Sequence, residues 1–531
     1  MKQTTTVSWR LYDAGREYNR RISLYSTIRK NERFYRGDQW YGIEEDGLPH
    51  PVFNIVRRVT DYLVSSVGSG SVGFSYVTDD VIARDKAEAT RQDEALRVLS
   101  DAAAGLWKDS RVERRIPELL LDAALTGDAA VYCRWNGDMG SAGGFSGNVE
   151  TDRIDGSNLF LADVSSSDIQ SQAWVMLAGR ASVEELRRDA ALAGISEAER
   201  AKILPDDNRD TKIGDLADAL PTDDYATFLI RFRKDKDGNV VFRKSTREVD
   251  FPEVHTKRRI YPIALFNWYR TRGSYHGTSP ITSLLPNQRF LNLAYALCMK
   301  HMRDTAFSKV IYDQSRIPEW SNEVGEAIAA VGGGNISDAV SVVGTGKMAE
   351  GYQVFIDRVT EATKEMMGAT DTVLGSAEAS NTSAILALQE ASRVSLGQVV
   401  SSYTRFLEEI AEIWADLIRS AYPPERPVPS ADGSGTVHFA DFSVLDGLTV
   451  RALAEIAGSG RYSASETVNV LDKLLSGGHI TAVQYLERLP SGLLAGRDTL
   501  LAELRNGQGG KEGNGDGDYG KGGSNGSGRN N

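Results

Sequence analysis

The sequence predicts an α+β fold that is mainly helical, and three observations carry that expectation. Apolar residues recur every three or four positions over several long stretches, the longest running from Thr382 to Tyr422. Between them, residues 128 to 180 change period, with strand-like stretches between Gly, Asn and Asp turns. The chain has 531 residues and is 41% hydrophobic, enough to bury several cores and to exclude fibrous and wholly disordered classes.

The elements follow in order. Residues 8 to 36 form a polar, charged helical pattern carrying Trp9, Leu11, Tyr18, Ile22, Leu24, Tyr25, Ile28 and Phe34, which ends near Gly37 in "FYRGDQWYG". After the prolines at 49 and 51, "VFNIVRRVTDYLVSSVGSG" is a second amphipathic helix closed by Gly68 and Gly70. A third helical region covers 82 to 126, with Pro117 tolerable near the start of a new turn. "AAVYCRW", "NLFLADV" and "AWVMLAGR" are strands. "TFLIRFRKDKDGNVVFRKSTREV" is a hairpin turning at Asp237-Gly238-Asn239, where positive φ is easily adopted. Its neighbourhood, Phe228 to Ile260, holds ten Lys and Arg against five Asp and Glu, which suits a soluble exposed edge more than a DNA grip.

Helical spacing returns from Ile281 to Phe307, and a mixed segment, 309 to 355, contains "VGGGN" and the strand-like "AVSVV". A short helix at 356 to 373 leads to the small-residue stretch "LGSAEASN". The long helix then starts behind Asn381, a good N-cap, and stops at Pro423-Pro424, with a bend expected at Ser395 and Gly397. "TVHFADF" is a strand, 447 to 505 form short helices, and the last 26 residues contain 11 glycines and bury no core.

A net charge of -12 argues against tight nucleic-acid binding over the whole surface, which needs excess Lys and Arg. Two cysteines, Cys133 and Cys298, give neither a disulfide framework nor a metal cluster. No run of apolar residues is long enough to span a membrane, and the first residues lack the apolar centre of a secretion signal, so the expectation is a protein that stays in the cell that makes it. "GTGKM" at 344 to 348 fails as a phosphate loop, because Ser341 stands where glycine is needed and Met348 where Ser or Thr is needed. The six histidines show no metal-ligand spacing, and no nucleophile elbow occurs. No catalytic, cofactor or metal residue is therefore assigned.

Taken in order, several segments resemble one family. "FYRGDQW", "FNIVRRVTDYLVSSVGS", "TGDAAVYCRW" and "IDGSNLFLADVSSSDIQSQAWVML" resemble the amino-terminal half of tailed-bacteriophage portal proteins. "YHGTSPITSLLPNQRFLNLAYALCMKHMRDTAF" resembles the portal stem helix, with a Gly-Thr-Ser-Pro turn feeding a helix that carries Gln288 and Asn292. "GSAEASNTSAILALQEAS" resembles the family's tunnel loop and the start of its long helix, and the likeness covers roughly residues 15 to 490.

The resemblance implies a portal-like fold. It assigns 1–275 to a wing, 276–308 to a first stem helix, 309–355 to a clip and 356–373 to a second stem helix. It assigns 374–381 to a tunnel loop, 382–424 to the long kinked helix, 425–446 to a strand returning to the wing, 447–505 to crown helices and 506–531 to a disordered tail. It implies a homo-oligomeric ring, typically of twelve subunits, at one capsid vertex of the virion, assembled in the host cytoplasm. Double-stranded DNA passes through the channel, and terminase, the major capsid or scaffolding protein and a head-tail adaptor are its partners; no membrane and no cofactor are implied. The tunnel loop residues would be Leu374, Gly375, Ser376, Ala377, Glu378, Ala379, Ser380 and Asn381. Lys300, His301, Arg303 and Lys309 would face either the channel or a neighbouring subunit. Two other readings compete: a terminase or nuclease component of the same packaging system, and a helical scaffold or adaptor without a nucleic-acid channel.

Overall fold

The computed structural model describes residues 5–43, 47–78, 86–109, 112–140, 145–206, 224–306, 309–321, 328–343, 351–369, 382–431, 436–458 and 461–489, with a few positions up to 504. Helices and strands are both extensive, as an α+β fold requires.

The expected first helix is two helices, α1 (Val7–Arg21) and α2 (Leu24–Arg36). The break is Ser23, whose φ of 59° no α-helix accommodates. The Thr6 side chain caps α1 by accepting the Trp9 N–H. Gly37, at φ 96°, closes α2 while Asp38 N–H donates back to the Arg33 carbonyl. α3 (Ile55–Val67) begins at Asn54, whose Oδ1 accepts from Arg57 N while its Nδ2 donates to the Phe34 and Tyr35 carbonyls. One side chain thus ends one helix and starts the next.

β1 (Gly70–Thr78) follows, and the third helical region is split into α4 (Lys86–Asp109) and α5 (Val112–Thr126). β2 (Asp128–Gly140) and β3 (Ser146–Ile154) form a hairpin, then come β4 (Leu159–Leu161) and β5 (Trp174–Ser182). Two short helices, α6 (Val183–Leu192) and α7 (Glu197–Arg200), precede β6 (Tyr225–Lys234) and β7 (Val240–Ser245). Those two strands pair from Lys234↔Val240 outward, and Gly238 in the turn takes φ 81°, as the hairpin signal requires. β8 (Val254–His255) and β9 (Ile263–Asn267) complete two antiparallel sheets, ordered β4-β5-β6-β7-β8 and β3-β2-β9.

α8 (Pro280–Thr305) is the expected helix, followed by the small hairpin β10 (Lys309–Tyr312) and β11 (Val340–Val343). α9 spans Gly351–Glu365, starting and ending earlier than the 356–373 read from the sequence. Its stop is chemical: Gly368 takes φ 67°, and Ala369 N–H donates to the Lys364 carbonyl. α10 (Thr382–Ala421) runs unbroken through Ser395 and Gly397. The tunnel-loop stretch, the failed phosphate loop and the glycine-rich tail lie outside the described residues.

β12 (Val428–Pro429) and β13 (Val437–His438) form a small ladder. The reading of 447 to 505 as helices is wrong at its start, because β14 (Val450–Gly458) is a strand antiparallel to β1 over its whole length. Its Ala and Glu content favours a helix, but pairing with β1 overrides that propensity. On its other edge, the Ala454 N–H donates to Glu408 and the Ala452 N–H to Glu412, so carboxylates of α10 occupy donors that another strand would otherwise seek. α11 (Arg461–Ser476) and α12 (Ala482–Arg488) come last.

From Leu396 onward α10 is the spine of the main core. Leu396, Val399, Tyr403, Phe406, Leu407, Ile410, Ile413, Trp414, Leu417 and Ile418 are all buried, against residues of α3, α4, β1, β2 and β9. Burying each such side chain stabilises by about 1.5–3 kcal/mol. Two polar ties fix the register of this packing: Trp414 Nε1 donates to Thr151 Oγ1, and the Tyr76 hydroxyl donates to the Ala411 carbonyl.

Candidate functional site

The entry to α8 is built from two glycines crossing back to back. A Cβ added at Gly277 would lie 2.6 Å from the Gly127 oxygen, and one at Gly127 would lie 2.5 Å from the Gly277 oxygen. Only hydrogen fits at either position. Ser279 then caps the helix, accepting from Ile281 N at 3.1 Å and donating to the Ala124 carbonyl, and Pro280 occupies the first turn, where its missing N–H costs nothing. Just before the turn, buried His276 sits between Asp128 Oδ2 at 2.5 Å and Asn19 Oδ1 at 3.0 Å. The second Asp128 oxygen accepts from Gly277 N and Asn267 Nδ2. This cluster ties α1, β2, β9 and the turn into one joint.

Farther along α8, Gln288 and Asn292 are buried and hydrogen-bonded. Gln288 Oε1 accepts from Ile55 N at 2.9 Å and Val56 N at 3.2 Å, so a side chain of α8 satisfies the first turn of α3. Gln288 Nε2 donates to the Phe53 carbonyl and to Asn292 Oδ1, and Asn292 Nδ2 donates to Gln39 Oε1. The helix is held on this side by a chain of side-chain hydrogen bonds from Gln39 through Asn292 and Gln288 to the start of α3.

Its other side packs on α9. Leu291, Ala294 and Ile356 are buried together, with Tyr295, Cys298, Tyr352 and Val359 around them, and Asn287 Nδ2 donates to Thr363 Oγ1 at 3.1 Å. Contacts of Asn287 with Thr363 and of Phe290 with Phe355 show the two helices running antiparallel. Beside this seam the pair leaves large apolar side chains in the open: Phe290 is 42% exposed, Leu297 45%, Phe355 54% and Met366 63%. Leu293 is exposed in the same way.

Of the residues singled out from sequence, Lys300 and His301 are half-buried near the end of α8, and Arg303 is exposed. Arg303 Nη2 donates to the Gly47 carbonyl at 2.9 Å, and its Nε lies 3.5 Å from Asp304. Lys309 opens β10 opposite Val343. The eight tunnel-loop residues lie outside the described residues. Missed altogether was a cationic cleft between α2 and α8, whose signal was present as Arg29, Lys30 and Arg33 one helical turn apart.

Among the described residues no group of three His, Cys, Asp or Glu converges as a metal site, and no helix is long and apolar enough to cross a membrane. Cys133, buried in the main core, has its thiol pushed up to about 12 by burial and is no nucleophile. What the geometry offers is a rigidly mounted helix pair with an open apolar flank, the equipment of a protein that assembles. The match to known families agrees: residues 202–451, from β6 through α8, α9 and α10 to the first residues of β14, match the phage P22-like portal protein family. Among curated proteins none matches the chain.

Proposed function

We propose that the protein is the portal of a tailed phage, a closed homo-oligomeric ring at one capsid vertex through which double-stranded DNA is packaged and later ejected. The family match over residues 202–451 supports a portal role, and the observation that supports assembly is the exposed apolar flank of α8 and α9. Contiguous apolar surface of this kind marks an interaction site, and a head-to-tail contact between identical subunits must close into a ring or run on as a filament. In this reading α8 and α9 are the stem, β10 and β11 belong to the clip that docks the terminase and then the adaptor, and residues 1–275 with the sheets form the wing. The family's role is structural, so the protein is a conduit and not an enzyme.

The stretch Leu374 to Asn381 then lines the narrowest part of the channel. Its side chains are small and Glu378 is its only charge, so it touches the DNA backbone without holding it. Lys300, His301, Arg303 and Lys309 sit near the lower stem, where they meet DNA or a neighbouring subunit.

Negative-stain microscopy with light scattering tests the ring: closed particles with a central opening are expected, and a strictly monomeric species at high concentration refutes the reading. In the same preparation, Ala377→Arg with Ala379→Arg should leave rings intact and shorten the DNA packaged with the cognate motor. Full-length packaging at an unchanged rate removes the loop from the channel wall.

A further inference from the structure

The α8–α9 pair carries opposite charge on its two outer sides. On one side, between α2 and α8, an open cleft of about 350 Å³ is lined by Arg29, Lys30, Arg33 and Arg289, with Asp38 as its one carboxylate. Arg33 stacks 3.4 Å over the Tyr41 ring and lies 3.7 Å from Asp38, and Arg289 lies over the Phe34 ring at 5.4 Å. Arg29, Lys30 and Arg289 are exposed and make no ion pair among the described residues. On the other side, Asp357, Glu361 and Glu365 follow one another at helical spacing along α9; all three are exposed and likewise without an ion pair among the described residues.

Helical geometry sets these two patches back to back. At about 100° per residue, the α8 positions that meet α9 (Asn287, Leu291, Ala294, Cys298) lie roughly opposite Arg289. By the same spacing, the α9 positions that meet α8 (Tyr352, Ile356, Val359, Thr363) lie roughly opposite Glu361 and Glu365. The order across the pair is therefore basic cleft, α8, α9, acidic stripe. The patches also share a level, because the Asn287–Thr363 hydrogen bond in an antiparallel pair sets Glu361 and Glu365 beside Arg289.

We infer that the basic cleft of one subunit receives the acidic stripe of α9 from the next copy of this chain. This rests on the ring reading and names the contact that would set subunit order in it. Two patches of opposite sign, at one height and on opposite sides, are what a head-to-tail interface needs, whereas a two-fold dimer needs one patch that complements itself. A chain of net charge -12 repels its copies, so a local cationic cleft facing a local acidic stripe supplies orientation as well as attraction. A cleft this small and concave admits carboxylate side chains and guanidinium-carboxylate pairing better than it admits the rigid backbone of a duplex.

The test is a charge exchange on the full chain, read as ring fraction by light scattering and microscopy. Arg29→Glu, Lys30→Glu and Arg289→Glu together should lower the ring fraction at least tenfold, and so should Asp357→Lys, Glu361→Lys and Glu365→Lys together. Combining the two sets should restore rings toward the wild-type fraction, an outcome that misfolding of either set cannot produce. Wild-type rings with either set neutral, or a combined variant no better than its parents, overturns this contact while leaving the ring reading in place. Intact rings whose cationic-cleft variant has lost binding to a short duplex DNA overturns it in favour of a phosphate site. A wild-type chain that forms no ring overturns both.

Discussion

The two sides of α8 are finished differently. Toward α2 and α3, Gln288 and Asn292 find their hydrogen-bond partners inside the same chain, and at the helix entry Gly127 and Gly277 leave no room for a Cβ. Toward α9 and beyond, Phe290, Leu293, Leu297 and Phe355 stay open to solvent. The buried part of the first side is satisfied within the chain, with only the cationic cleft at its rim left open, whereas the second side leaves large apolar side chains in solvent. Mutations in the buried part of the first side should therefore cost stability, and those on the apolar second side should cost assembly.

The largest effect should come from breaking the finished side. Gln288→Ala strands the buried Val56 N–H and Asn292 Oδ1 and leaves the Ile55 N–H only its bond to the Phe53 carbonyl, and a loss of about 1–3 kcal/mol is expected in urea denaturation. A loss below half a kcal/mol would mean the joint repacks.

A smaller effect, of opposite sign, is expected on α10. Burial pushes the Glu409 carboxyl up to about 7, against an ordinary value near 4.5, although the Leu265 N–H favours its charged form. With the folded value raised, the native state holds the proton more tightly than the unfolded chain. Stability from this group is full below about pH 4.5 and is lost as pH rises through about 7. Glu409→Gln should stabilise the protein at pH 8 and change nothing below pH 4.5, read from melting curves at both values. A gain independent of pH would assign the effect to packing.

The smallest change in stability should come from the open side. Replacing Phe290, Leu293 and Leu297 by Ser should move the unfolding free energy of a subunit by no more than about 0.5 kcal/mol per site while the ring fraction falls. Equal losses on both sides of α8 would erase the distinction between them.

Local signals in the sequence account for much of the fold. The Gly-Thr-Ser-Pro entry to α8, the Asp237-Gly238-Asn239 hairpin and the buried face of α10 follow from spacing and turn chemistry, and the structure has them. Gly368 as the stop of α9 was also visible and was passed over. What was hidden is long-range. Nothing within Val450–Gly458 reveals that its partner is Gly70–Thr78, and nothing in α2 reveals that Arg289 joins Arg29, Lys30 and Arg33 in one cleft. Spacing finds faces of helices and does not find which faces meet.

The β1–β14 ladder has a consequence for synthesis. β1 is made early and lacks its partner until almost the whole chain has left the ribosome; at roughly 5–20 residues per second the wait is tens of seconds. During that interval Val72, Phe74 and Tyr76 belong to an unpaired strand without the α10 surface they pack on. The main core is thus among the last parts of the molecule to close, and a chain truncated before Val450 would keep a sticky edge that the complete one hides.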